Sequence, residues 1–178
     1  MPTYLVDTNV MLAASACHNS CSALLNEAEP KEPELRERVY NWLRDFDLST
    51  DSILLDEDWL IRGEYEHKMA FNSYMREQEY GFQVLQNKQD RGLVNYVPID
   101  VDTTSGEPIA ILSEELTAIV TDRADRKWVA AAQSAKILHD LTCPIVYGAE
   151  SDWYVIQDDL LRFGIHCKQL LPDEWYED

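Results

Sequence analysis

The chain has 178 residues, a length that suits one domain with a single sizeable core. Hydrophobic residues make up 46% of it and aromatic residues 10%, including five Trp and nine Tyr, which excludes an intrinsically disordered chain. Acidic side chains number 33 against 15 basic ones, and the formal net charge of -18 favours solubility while opposing unaided, non-specific attraction to a polyanion.

Thr3-Tyr4-Leu5-Val6 is a β-branched and aromatic run ending in Asp7, and Val10, Met11 and Leu12 follow in a helix-compatible pattern, so a strand feeds a helix here. The apolar stretch from Tyr4 to Ala16 lacks a basic leader and is interrupted by Asp7 and Asn9, which reads as mature structure rather than a secretion signal. Cys17 to Asn26 is expected to be irregular or briefly helical. Pro30 and Pro33 precede a helix from Glu34 to about Phe46, in which Leu35, Val39, Trp42, Leu43 and Phe46 form one apolar face. Ser52 to Leu55 is a second strand. The stretch from about Glu57 to Tyr80 reads as a long helix carrying Trp59, Leu60, Met69 and Tyr74, with Glu64 in its early half.

Gly81 and Gly92 bracket a further helix, Phe82 to about Asp90. Leu93 to Ile99 is extended, with Pro98 marking a strand end or sheet edge. Asp100 to Pro108 is expected to be a loop. Asp125 opens a helix through Trp128, Val129, Ala132, Ala135, Ile137 and Leu138. Pro144 to Tyr147 is a strand, Ser151 or Asp152 caps a helix from about Trp153 to Phe163, Gly164 stops it, and Ile165 to Leu170 is the last strand. Strands alternating with helices predict an α/β fold, a three-layer α/β/α arrangement around a mainly parallel central sheet. No repeat or interdomain linker divides the chain, and no run approaches the roughly eighteen apolar residues of a membrane span. Cys17, Cys21, Cys143 and Cys167 lack a strong zinc spacing; they read as reduced thiols of a cytoplasmic protein.

Four separate stretches place carboxylates where a strand ends or a helix begins: Val6-Asp7-Thr8-Asn9, Gly63-Glu64-Tyr65, Asp122-Arg123-Ala124-Asp125 and Glu150-Ser151-Asp152-Trp153. In an open parallel sheet, ligands bind in the crevice at the carboxyl ends of the strands, and Asp7, Glu150 and Asp152 fall on that edge. Asp125 at a helix start and Glu64 within a helix supply the other walls. Carboxylates gathered in this way repel unless cations lie between them, so the pocket calls for one or two Mg²⁺ or Mn²⁺ ions. Singly, Asp7, Asp125 and Asp152 also read as helix caps, Asp122 as a surface charge, and Glu64 as a partner of Lys68 one turn on.

These four stretches, in order, resemble the acidic motifs of PIN-domain nucleases. The similarity spans nearly the whole chain and is strongest in the first motif and the last seventy or so residues, including Gly164-Ile165 and Leu170-Leu171-Pro172. It implies a single PIN-like domain over 1–178 with helical insertions around 17–50 and 68–92. It makes Asp7, Glu64, Asp125 and Asp152 the catalytic, metal-binding set, with Glu150 a further metal ligand. Thr8, Asn9, Asp122 and Ser151 become supporting residues, and Arg123, Arg126 and Lys127 phosphate contacts. The last motif in similar proteins usually reads Asp-x-Asp. Here the first acid is Glu150, which leaves open whether Glu150 or Asp152 contacts an ion directly.

The resemblance implies metal-dependent hydrolysis of phosphodiesters, usually in RNA, by an endoribonuclease of the toxin or defence type, cytoplasmic and without a membrane. The excess acid then calls for a basic protein partner or antitoxin, and the Trp- and Tyr-bearing helices permit a homodimer. The alternative is a PIN-like module without catalysis that binds a basic protein. Phosphatase chemistry on Asp7 is disfavoured, because Asn9 stands where a second aspartate would act as acid and base.

Overall fold

The computed structural model describes residues 1–69 and 79–177. The strands in chain order are β1 (Thr3–Val6), β2 (Ser52–Asp56), β3 (Val94–Val97), β4 (Val101–Asp102), β5 (Ile109–Ala110), β6 (Ile145–Tyr147) and β7 (Cys167–Gln169). The α-helices are α1 (Thr8–His18), α2 (Pro33–Leu48), α3 (Leu60–Met69), α4 (Tyr80–Asp90), α5 (Glu114–Ile119), α6 (Arg126–His139) and α7 (Ser151–Leu161). Five strands make one parallel sheet in the order β3-β2-β1-β6-β7, flanked by helices in three α/β/α layers, as the alternation of elements predicts.

The strand order sets the position of the crevice. The chain moves outward from β1 through β2 to β3, then returns to lay β6 along the other side of β1. Leu5 is paired with Ile145 and Val6 with Val146, and the Asp7 amide continues the ladder to the Val146 carbonyl at 2.9 Å. Helical connections leave β1 and β6 in opposite directions, so their carboxyl ends open a cleft between them. Asp7 and Glu150 are the acids that follow these two strands.

Burial explains why the elements hold their places. Leu5, Val6, Ile53, Leu54, Leu55, Ile145 and Val146 are buried as near-continuous apolar runs, as strands covered on both faces require. Tyr4 meets Trp42 and Phe46 of α2 edge-on, each at 5.9 Å between ring centres. Tyr65 of α3 packs on Trp128 of α6 at 5.8 Å, and its hydroxyl donates to the Val6 carbonyl. The two helices that carry Glu64 and Lys127 are thereby fixed to each other and to the end of β1.

Several boundaries differ from expectation. The helix anticipated from Glu57 begins at Leu60, because the buried Asp56 carboxylate accepts the Leu60 and Ile61 amides at 2.9 and 2.8 Å and caps it there. Tyr74, expected in the same helix, lies outside the described residues. The anticipated loop from Asp100 to Pro108 contains β4, which pairs antiparallel with β5. Glu150, rather than Ser151 or Asp152, takes the cap position of α7; Ser151 and Asp152 lie in its first turn. All four cysteines are unpaired thiols. No helix among the described residues is long and apolar enough to cross a membrane.

The N-terminal half of α1, which carries Thr8 and Asn9, is held from behind by α4. Gly81 sits so close to α1 that an added Cβ would lie 2.8 Å from both Met11 Cβ and the Met11 carbonyl oxygen. Its amide donates to Ser15 Oγ at 2.9 Å, and that hydroxyl donates to the Met11 carbonyl at 2.7 Å. Gly81→Ala should therefore push the two helices apart and lower the unfolding free energy in urea by about 1–3 kcal/mol. An unchanged midpoint would mean that this close approach is not a packing constraint.

Candidate functional site

Asp7 ends β1 and caps α1. Its Oδ1 accepts the Asn9 amide at 2.8 Å and its Oδ2 accepts the Trp153 indole N–H at 3.0 Å, while the residue is only 4% exposed. Burial pushes its carboxyl up to about 7; those two donors oppose the rise, and the charges of Glu150 and Glu64 add to it. Sequence reasoning did not single out Trp153, since no spacing rule ties residue 153 to residue 7. The residue reaches Asp7 because α7 starts directly after β6, the neighbour of β1.

The residues beside Asp7 hold the other acids. Thr8 Oγ1 donates to Glu64 Oε1 at 2.6 Å, and Asn9 Nδ2 donates to Glu150 Oε2 at 2.7 Å. Both Thr8 and Asn9 are therefore supports, each for a different carboxylate. The pairing with Lys68 that Glu64 taken singly suggests is replaced by an ion pair with Lys127, whose Nζ lies 2.5 Å from Glu64 Oε2 and also donates to the Ala124 carbonyl at 2.5 Å. Lys127 is buried while Lys68 is exposed, and the contact between α3 and α6 selects the former.

Among the described residues, Asp122, Asp125 and Asp152 gather with one carboxylate oxygen each within 4.8 Å of the others, Asp122 and Asp152 exposed and Asp125 partly buried. They line a cleft of about 170 Å³ with Ile119, Val120, Thr121, Val155 and Ile156. Asp125 occupies the cap position of α6, yet its side chain makes no capping hydrogen bond, so its oxygens remain available. Burial pushes its carboxyl up to about 8, with the charges of Asp7, Asp122 and Glu150 adding and Lys127 opposing. Glu150 is raised in the same direction, by burial first and then by Asp152. Asp122 is fixed by the Ala124 amide, which donates to its Oδ1 at 2.8 Å.

Of the anticipated ligands, Asp125 and Asp152 come together, and Asp122 joins them as an equal rather than as a mere support. Glu150 feels the charge of Asp152 and Asp122, and Asp7, Glu64 and Glu150 are each already held, by Trp153, Lys127 and Asn9 respectively. Ser151 is exposed in the first turn of α7. The three cations differ from one another: Lys127 is internal, Arg126 donates from Nε to the Val120 carbonyl at 3.2 Å, and Arg123 is exposed. The three converging aspartates are all oxygen donors, which suits a hard divalent cation such as Mg²⁺ or Mn²⁺ rather than a thiol- or imidazole-seeking metal.

Compared with protein-family profiles, curated proteins and solved structures, the chain matches none.

The raised carboxyls fix the sign of a pH effect. In the folded chain Asp7 and Asp125 keep protons up to about 7 and about 8, whereas in the unfolded chain they lose them near pH 4. Without divalent cations, stability should be greatest near the lower limit and fall as pH rises through this window. Asp125→Asn should flatten the fall by on the order of 2 kcal/mol after solvent screening, read as urea midpoints at pH 5 and pH 8. Identical pH slopes in the two proteins would contradict the coupling. Separately, Trp153→Phe leaves Asp7 Oδ2 without its buried donor and should cost about 1–3 kcal/mol at pH 8.

Proposed function

We propose that this chain is a divalent-metal-dependent nuclease of the PIN type, an endoribonuclease that hydrolyses phosphodiester bonds and acts in the cytoplasm as a toxin or defence effector. The observation that carries this reading is the convergence of Asp122, Asp125 and Asp152 oxygens within 4.8 Å, near enough to Asp7 and Glu150, the acids that follow β1 and β6, for their charges to raise Asp125. Their mutual repulsion, and the raised carboxyls of Asp7, Asp125 and Glu150 behind them, leave the crevice short of positive charge.

Asp122, Asp125 and Asp152 would hold Mg²⁺ or Mn²⁺, with Asp7 and Glu150 behind them. Such an ion, when bound, supplies a lowered water pKa and positive charge against the phosphate oxygens. The chain's own residues do the rest. Asn9 and Trp153 keep Glu150 and Asp7 in fixed orientations, so the acids need not reorganise during reaction. Lys127 spends two of its three N–H donors on Glu64 and Ala124, leaving one to meet a phosphate oxygen at the edge of the crevice. Arg123, exposed beside it, extends that cationic edge outward and gives a polyanion a local foothold on an otherwise acidic surface. A basic antitoxin would be drawn to the same acidic surface by its charge.

The purified protein should cleave RNA with Mn²⁺ or Mg²⁺ and lose this on addition of EDTA. Asp125→Asn should reduce the rate by a hundredfold or more, while Asp140→Asn, whose carboxylate is exposed and paired with Lys136, should leave it unchanged. Equal rates in wild type and Asp125→Asn would refute the assignment.

One observation favours a second reading, an acidic module that binds a basic protein without catalysis. Lys127 already neutralises Glu64, one of the acids the resemblance assigns to a metal. In that case no metal-dependent cleavage is found with any RNA.

A further inference from the structure

We propose that the hollow beside Trp59 is a nucleobase subsite, in which a base stacks on the Trp59 indole while its phosphate meets Arg123 and Lys127. The proposal rests on the nuclease reading for what is cleaved, though the stacking itself can be measured without cleavage. Trp59 is 54% exposed and adopts φ of 65°, a left-handed conformation that costs a bulky residue energy. Nothing in the core repays that cost, since the ring lies outside it. Arg62 Cζ sits 4.8 Å from the ring centre and is itself held by Glu66 at 3.0 Å, so the indole is braced in place from one side.

The hollow encloses about 310 Å³, at the lower end of the range for small-molecule sites. Trp59, Gly63, Pro108, Arg123 and Lys127 line it together with Asp58. Gly63 lies within α3, where glycine is the least favourable residue short of proline, and a Cβ added there would meet nothing within 4 Å. No packing requires this glycine. Its effect is to keep the floor of the hollow open one turn along from the indole.

Lys127 joins the hollow to the acids, because it lines the one and its ammonium is bonded to Glu64 in the other. Glu64 also follows Gly63 directly in α3. A nucleotide whose base rests on Trp59 would thus carry its phosphate toward the crevice along the only wall that holds two cations among the residues of this hollow. Aromatic stacking is indifferent to base identity and to the sugar, so the ligand class is a nucleobase of either RNA or DNA.

The test is a fluorescence titration of single-stranded hexamers, one ribo and one deoxyribo, each with an internal 2-aminopurine, in EDTA. Wild type should quench both, as stacking does. Trp59→Gly should weaken binding roughly ten- to a hundredfold, and Trp59→Phe should retain most of it. Glycine adopts a positive φ without strain, so Trp59→Gly should melt no lower than wild type, which separates lost stacking from lost folding. Failure of wild type to quench either hexamer, or equal binding by Trp59→Gly, overturns the subsite. Cleavage of RNA by wild type together with equal binding by Trp59→Gly removes the subsite and leaves the nuclease reading intact. Trp59-dependent quenching without any metal-dependent cleavage does the reverse.

Discussion

Electrostatic repulsion among half-buried carboxylates is the constraint on which the rest of this molecule turns. Strand order brings Asp7 and Glu150 to the same crevice, and the starts of α6 and α7 add Asp125 and Asp152. Asp7, Asp125 and Glu150 are partly or wholly withdrawn from water while Asp152 is exposed, and neighbouring acidic charges add to the cost of ionising the three withdrawn ones. The fold answers with fixed donors: the Trp153 indole for Asp7, the Asn9 amide group for Glu150, and the Lys127 ammonium with the Thr8 hydroxyl for Glu64. Asp122, Asp125 and Asp152 receive no cation from the ion pairs of the described residues. That imbalance is what a divalent ion would relieve.

The same geometry would reconcile an acidic protein with the polyanionic substrate proposed for it. Charge is not spread evenly around the crevice. Lys127 is buried at its edge, Arg123 stands exposed beside it, and the Trp59 hollow lies beyond. The proposed subsite would offer a strand aromatic surface and two cations in one hollow, so local chemistry and the overall charge of -18 need not point the same way.

How much of this could be read from residue order follows from how local each signal is. The run Thr3 to Val6 closing on Asp7, and Ile145 to Tyr147 followed by Glu150, carry their own pattern, so the sheet and two crevice acids were legible. Asp125 at a helix start was legible for the same reason. Trp153, by contrast, matters only through the pairing of β1 with β6, a contact between residues far apart in the chain. Read singly, Glu64 suggested a partner within its own helix, and by resemblance a metal ligand, but the packing of Tyr65 on Trp128 brings α3 against α6 and pairs Glu64 with Lys127. Trp59 read as part of a helix starting at about Glu57; the Asp56 cap starts the helix at Leu60 instead and leaves the indole just ahead of it.

The most direct measurement of the central claim is the number of protons expelled when Mn²⁺ binds. Asp7 and Asp125 still hold protons near pH 7, and a cation entering the crevice must displace them. Isothermal titration at pH 7 in buffers of different ionisation enthalpy should give a binding heat that varies with the buffer, corresponding to about one proton released per site. Asp125→Asn should abolish most of that variation. A heat that does not depend on the buffer, or no heat at all in the wild type, would contradict a crevice whose acids are held together for a cation.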